Sequence, residues 1–186
     1  MDNRIVNIHS AYNLDNAVRT SLRLHDHGLL RLISLDINSN LLTIKSNYLL
    51  ESLVSDQNYQ CVFFDHYTQK IKGKHGPFDV NNISVDDFSV IDKETFKNDL
   101  MDIISSPKWS CPPVSEQKIK TTSKLLDSLT SSEIKIFIFD KCFEFNNMNN
   151  TKKYEHEWSH ALSSFFEFII LDITKKKVHI LILTYE

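Results

Sequence analysis

The spacing with the most chemistry in it is His156-Glu157-x-x-His160. On a helix, positions i and i+4 project from one face, so two imidazoles at that spacing can hold one zinc ion. A glutamate beside the first can then take a proton from zinc-bound water. Residues 154–165 have the period this needs: Tyr154, Trp158, Ala161, Leu162 and Phe165 share one side of a helical wheel, with His156 and His160 on the other. A catalytic zinc also needs a third protein ligand. The motif leads into an apolar pair of strands, which leaves Asp172, Glu186 or a residue far upstream for that role. The Asn-Asn-Thr-Lys-Lys run before the helix is a solvated approach, not a buried strand behind a site. The reading adopted is therefore a surface helix without metal. The alternative is a zinc-dependent hydrolase, with His156 and His160 as ligands and Glu157 as base.

Other constellations for catalysis are weaker. His9, His66, His75 and His179 have no partner at a useful spacing, and His25 and His27 sit where a helix would end. There is no Gly-rich phosphate loop and no Gly-x-Ser-x-Gly elbow. The chain reads as a non-enzyme with no cofactor. Attention then moves to binding residues. Asp86, Asp87, Asp92, Glu94, Asp99 and Asp102 form an acidic run diluted only by Lys93 and Lys97. Such a run is either a solvated face or a surface for a basic partner. Trp109 lies in a loop with Pro107, Pro112 and Pro113, where an exposed indole would be an interface anchor. Four apolar segments end in Asp, at Asp36, Asp65, Asp140 and Asp172. Asp favours turns, but strand order could also gather these carboxylates at one end of a sheet.

At 186 residues, with 41% apolar and 24% charged side chains, the chain suits one globular domain over 1–186. A net charge of -3 argues against nucleic acid as partner. No apolar run reaches the ~18 residues of a membrane span. The start Met-Asp-Asn-Arg-Ile is unlike a signal peptide, and Cys61, Cys111 and Cys142 suggest no disulfide framework, so the expected location is the cytoplasm.

The elements that must position these residues follow from period and punctuation. Helices are expected over 15–27, 48–55, 92–104, 116–129 and 154–165, and strands over 29–37, 41–45, 59–67, 88–91, 134–140, 166–173 and 178–185. Residues 70–78, with Gly73 and Gly76, read as a turn region, and 105–115 as a crossover loop. The fold class is α+β: a mainly antiparallel, hairpin-rich sheet with about four or five helices and the C-terminal β-hairpin at its centre.

Two resemblances bear on function. His156-Glu157-x-x-His160 is similar to the zincin metalloproteases at those five residues, while Ser163 and Phe166 stand where the metzincin continuation has Gly and His. The segment with Glu155, Trp158 and Leu162, then Phe-Phe-Glu-Phe-Ile-Ile-Leu-Asp172, a Lys turn and Ile-Leu-Ile-Leu-Thr-Tyr-Glu186, resembles immunity proteins of bacterial polymorphic toxin systems. The contact-dependent growth inhibition group is nearest. That resemblance implies a small cytoplasmic α+β protein that binds the C-terminal domain of a cognate toxin, often a nuclease, and blocks its active site or substrate groove. It transfers no binding residues.

Overall fold

The computed structural model describes residues 12–37, 46–55, 59, 73–105, 113–140, 143–144 and 162–185. Its centre is set by two apolar segments. Phe-Phe-Glu-Phe-Ile-Ile-Leu and Val-His-Ile-Leu-Ile-Leu are β-branched or aromatic along most of their length, which suits strands covered on both faces. They form β8 (Ser164–Asp172) and β9 (Lys177–Tyr185), a hairpin whose turn holds Lys176 at φ 54. Around it stand β1 (Tyr12–His25), β2 (Gly28–Ile37), β3 (Lys74–His75), β4 (Phe78–Asp79), β5 (Phe88–Ile91), β6 (Ile134–Phe139) and β7 (Phe143–Glu144). The helices are α1 (Ser46–Val54), α2 (Lys93–Ser105) and α3 (Glu116–Leu129).

Among the described residues the main sheet has seven antiparallel strands, in the order β1-β2-β9-β8-β6-β5, with β7 also pairing with β8. β3 and β4 make a separate two-stranded hairpin. Alternation sends successive side chains to opposite faces. Ile33, Leu35, Ile169, Leu171, Ile180 and Ile182 meet Leu49, Leu50 and Leu53 of α1 and Phe78 of β4 on one face. Leu30, Leu32, Phe168, Ile170, Leu181 and Leu183 meet Phe96, Leu100 and Ile104 of α2 and Leu126 and Leu129 of α3 on the other. No helix among the described residues is long and apolar enough to cross a membrane.

The expectation of four or five helices is overturned: the described residues contain three α-helices and are dominated by strand. The expected helix over 15–27 falls in β1, which pairs with β2 at Tyr12 and Asn13 and again from Val18 to His25, with register shifts between Asn13 and Val18 and between Arg23 and His25. Leu22 and Leu24 are two residues apart, which is strand spacing, and Gly28 opens the returning strand β2. Local period and punctuation suggest a helix there, but cross-strand pairing with β2 decides the outcome. Of the expected helix over 154–165, residues 154–161 lie outside the described residues, and Ser164 and Phe165 already belong to β8. The expected strands over 41–45 and, apart from Tyr59, over 59–67 also lie outside them, as do Cys61, Cys111 and Cys142.

Candidate functional site

Three polar constellations stand out. The first is fully buried and joins the β3–β4 hairpin to the sheet. Glu167 is the charged residue inside the otherwise apolar core of β8, and its side chain faces the α1 layer. His75 Nε2 lies 2.5 Å from Glu167 Oε2, and His75 Nδ1 lies 2.9 Å from the Tyr59 carbonyl oxygen. A carbonyl only accepts, so Nδ1 carries a proton. The Nε2–Oε2 contact ties the imidazole to the β8 carboxyl. The Tyr59 hydroxyl donates to the same Oε2 at 3.3 Å, and its ring stacks on His75 at 4.0 Å between centroids. Burial, then the adjoining Glu167 charge, pushes the Tyr59 phenol well above its ordinary range. Among the described residues, Glu167 Oε1 has no hydrogen-bond partner. With His75 0% and Glu167 1% exposed, the network is enclosed, and it ties the β3–β4 hairpin to β8.

The second constellation is a Ser, a His and an Asp at one end of the sheet. Antiparallel register sets Ser34 on β2 opposite His179 on β9, with their Oγ and Nδ1 2.7 Å apart. Asp172 ends β8 nearby and acts on His179 through its charge. The arrangement is not a catalytic triad. Asp172 is committed elsewhere: its Oδ2 accepts from the Ser132 hydroxyl at 2.5 Å and its Oδ1 from the Lys175 backbone N–H at 2.8 Å. Burial raises the Asp172 carboxyl, but those bonds and the Lys175 ammonium outweigh it and hold it below its ordinary value. Burial takes His179 down to about 4, far too weak a base to activate a hydroxyl at neutral pH.

The same register settles the Asp-ended strands. Asp36 and Asp172 both sit opposite Lys177, and the Lys177 ammonium donates to Asp36 Oδ1 at 2.8 Å. Asp140 follows β6, which runs against β8, and so lies at the other end of the sheet, while Asp65 is outside the described residues. Among the described residues no cluster of three or more His, Cys, Asp or Glu side chains is placed to hold a metal.

The third constellation is open. A groove of about 520 Å³ runs between α1 and the 83–86 segment, lined by Tyr48, Glu51, Val54, Ser84, Val85 and Asp86, among others. α1 supplies one wall because 48, 51 and 55 recur at helical spacing on one face. The opposite wall is a short 3-10 turn held by Asp87, whose Oδ2 accepts from the Ser84 backbone N–H at 2.7 Å and hydroxyl at 3.2 Å.

The acidic run therefore divides. Asp86 and Asp87 precede the edge strand β5, beside α1, and Asp92 follows it. Asp92 caps α2: its Oδ1 accepts from the Glu94 and Thr95 backbone N–H groups, each at 2.9 Å. The Thr95 hydroxyl, foremost, and those backbone donors hold its carboxyl below the usual value. Glu94, Asp99 and Asp102 are exposed on α2, whose buried residues are Phe96, Leu100 and Ile104. Asp87 and Asp92 thus shape the backbone, while Asp86, Glu94, Asp99 and Asp102 face water. Trp109, His156, Glu157 and His160 lie outside the described residues. Sequence reasoning missed His75, Glu167, Ser34, His179 and the groove residues Tyr48 and Glu51. A signal existed for two of them: a lone Glu or His inside a strand that is otherwise apolar needs a buried partner. No protein-family model, curated protein or solved structure matches this chain.

Proposed function

We propose that this protein is a non-enzymatic inhibitor that binds a cognate toxin domain in the cytoplasm and blocks its active site or substrate groove, in the manner of contact-dependent growth inhibition immunity proteins. The observation that carries the reading is the groove beside α1. It combines two carboxylates, Glu51 and Asp86, with a Tyr48 side chain that is 61% exposed. Exposed Glu94, Asp99 and Asp102 extend acidic surface along α2. A nuclease presents basic groups to nucleic acid, and a surface bearing carboxylates complements them, speeds encounter and fixes register. The titratable clusters inside the fold support the same reading, since His75 and Glu167 are enclosed and His179 is held neutral.

The test is co-expression with the toxin C-terminal domain encoded beside it. A complex with a Kd on the order of 1 nM or tighter, together with restored growth, is the expected result. Absence of both overturns the proposal. In that case, stoichiometric zinc in the purified protein, lost in His156→Ala, would favour the hydrolase alternative built on His156, Glu157 and His160.

A further inference from the structure

We propose that the groove between α1 and the 83–86 segment is a receptor for one cationic side chain of a protein partner, an arginine in preference to a lysine, seated between Glu51 and Asp86 and against the Tyr48 ring. The inference rests on the inhibitor reading for the partner's identity, not for the chemistry of the groove.

The groove is a built feature. Its apolar floor is Val54 and Ile83, 8% and 9% exposed. Its α1 wall is anchored from behind by Leu49, Leu50 and Leu53, all in the core. Its other wall is held at both ends: Asp79 Oδ1 accepts from the Asn81 backbone N–H at 3.0 Å, and the Ser84–Asp87 box closes the next turn. Asp87 is spent on that box, and its neighbour Asp86 is the carboxylate that lines the groove. Among the described residues no Lys or Arg forms an ion pair with Glu51 or Asp86, whereas Asp36, Asp79, Asp127 and Asp172 each have a lysine.

Charge complementarity therefore selects a cation, and the shape of the lining selects which. A guanidinium offers a planar fork that can bond two carboxylates at once, and its face stacks on a tyrosine ring, while an ammonium is a point charge that prefers water. Asn47, Ser55 and Ser84 add hydrogen-bonding groups along the rim.

The experiment is fluorescence anisotropy with labelled hexa-arginine and hexa-lysine peptides at low salt. The expected order is arginine peptide tighter than lysine peptide. Glu51→Gln/Asp86→Asn should weaken the arginine peptide by about tenfold or more, and Tyr48→Ala by about two- to fivefold, with Tyr48→Phe unchanged. Glu116→Gln/Glu133→Gln, at exposed carboxylates outside the groove lining, removes the same charge elsewhere and should change binding by less than about twofold. All four substitution sets fall on exposed positions, and thermal melts confirm that each variant folds. Equal losses in the two charge-matched doubles would reduce the effect to net charge and overturn the proposal, as would no measurable binding of the arginine peptide. A toxin complex that the groove substitutions leave intact overturns this inference alone. Peptide binding with the expected variant pattern but no toxin complex overturns the inhibitor reading alone.

Discussion

His179 and His75 are both buried imidazoles, and they are accommodated in opposite ways. His179 faces Ser34 of β2 on one side, with the charges of Asp172, Lys175 and Lys177 around it. Burial dominates and takes its pKa from 6.5 to about 4, so the folded protein holds it neutral. Between those values the unfolded chain binds a proton that the folded chain refuses. Stability is therefore fully present above pH 6.5, falls as pH drops through the window and levels off near pH 4. At ~1.4 kcal/mol per unit the loss approaches ~3 kcal/mol. His25, also lowered by burial and then by His27, adds in the same direction. Asp172 contributes separately: its carboxyl is lowered, so its share is lost only at more acid pH. Urea unfolding at pH 7 and pH 4.5 should show His179→Gln losing roughly 2 kcal/mol less than the parent, and equal losses would clear His179 of the role. His75 is instead kept by a partner. Removing one member of a buried pair leaves the other uncompensated, at about 3–5 kcal/mol, whereas replacing both with apolar groups is often neutral. In a Tyr59→Phe background, which spares an orphaned phenol, His75→Phe and Glu167→Leu should each be strongly destabilising. The double variant should lie within ~2 kcal/mol of that background by chemical denaturation. Additive losses would mean that the two side chains act separately.

At the scale of elements, the β3–β4 hairpin is what brings His75 onto the sheet, and its geometry depends on two glycines with different reasons to be there. Gly73 and Gly76 have φ of 79 and 55, a region that costs other residues about 1–2 kcal/mol. Around Gly73 a Cβ would meet nothing within 4 Å. At Gly76 it would run into the Phe165 ring, which is 2% exposed and packed between His75 and Phe78, so it has nowhere to go. Gly73→Ala should therefore cost only the backbone penalty, and Gly76→Ala that penalty plus about 1–3 kcal/mol of overlap, a ranking that thermal melts decide. The sequence shows these glycines as turn residues, and it places β5, α2 and α3 to within a residue, because apolar period and capping residues such as Asp92 agree there. It misleads over 15–27, where local helix-start signals are overridden by pairing with β2. The sites were less legible for a geometric reason. His75 and Glu167 are 92 positions apart, and Ser34 and His179 are 145 apart, so no local spacing connects them. The acidic run was visible as residue types. Its division into capping, groove and α2 carboxylates comes from where β5 turns the chain.

Across the whole molecule, stability should be graded outward from the β8–β9 hairpin. β9 runs between β2 and β8, and β8 between β9 and β6, so both strands are paired on two sides and covered on two faces. Their amides can exchange with solvent only when most of the sheet opens. Among the described residues β5 pairs with β6 alone in the sheet order, and Val90 is 58% exposed; at the opposite edge Val18 on β1 is 59% exposed. Local opening frees those amides without disturbing the centre. Native-state hydrogen exchange should find β8 and β9 protected by at least ~3 kcal/mol more than residues 18–21 of β1 and the β5 edge, about a hundredfold in exchange rate. The groove lies away from that centre, on α1 and the 83–86 segment, so a ligand seated there touches elements that can open on their own. Arginine-peptide binding should slow exchange over 48–55 and 83–88 first, and slow β8–β9 only to the extent that the whole fold is stabilised. Equal protection of β8–β9 and the β1 edge in the free protein would show that the sheet opens as one unit, and the peptide would then protect every strand alike.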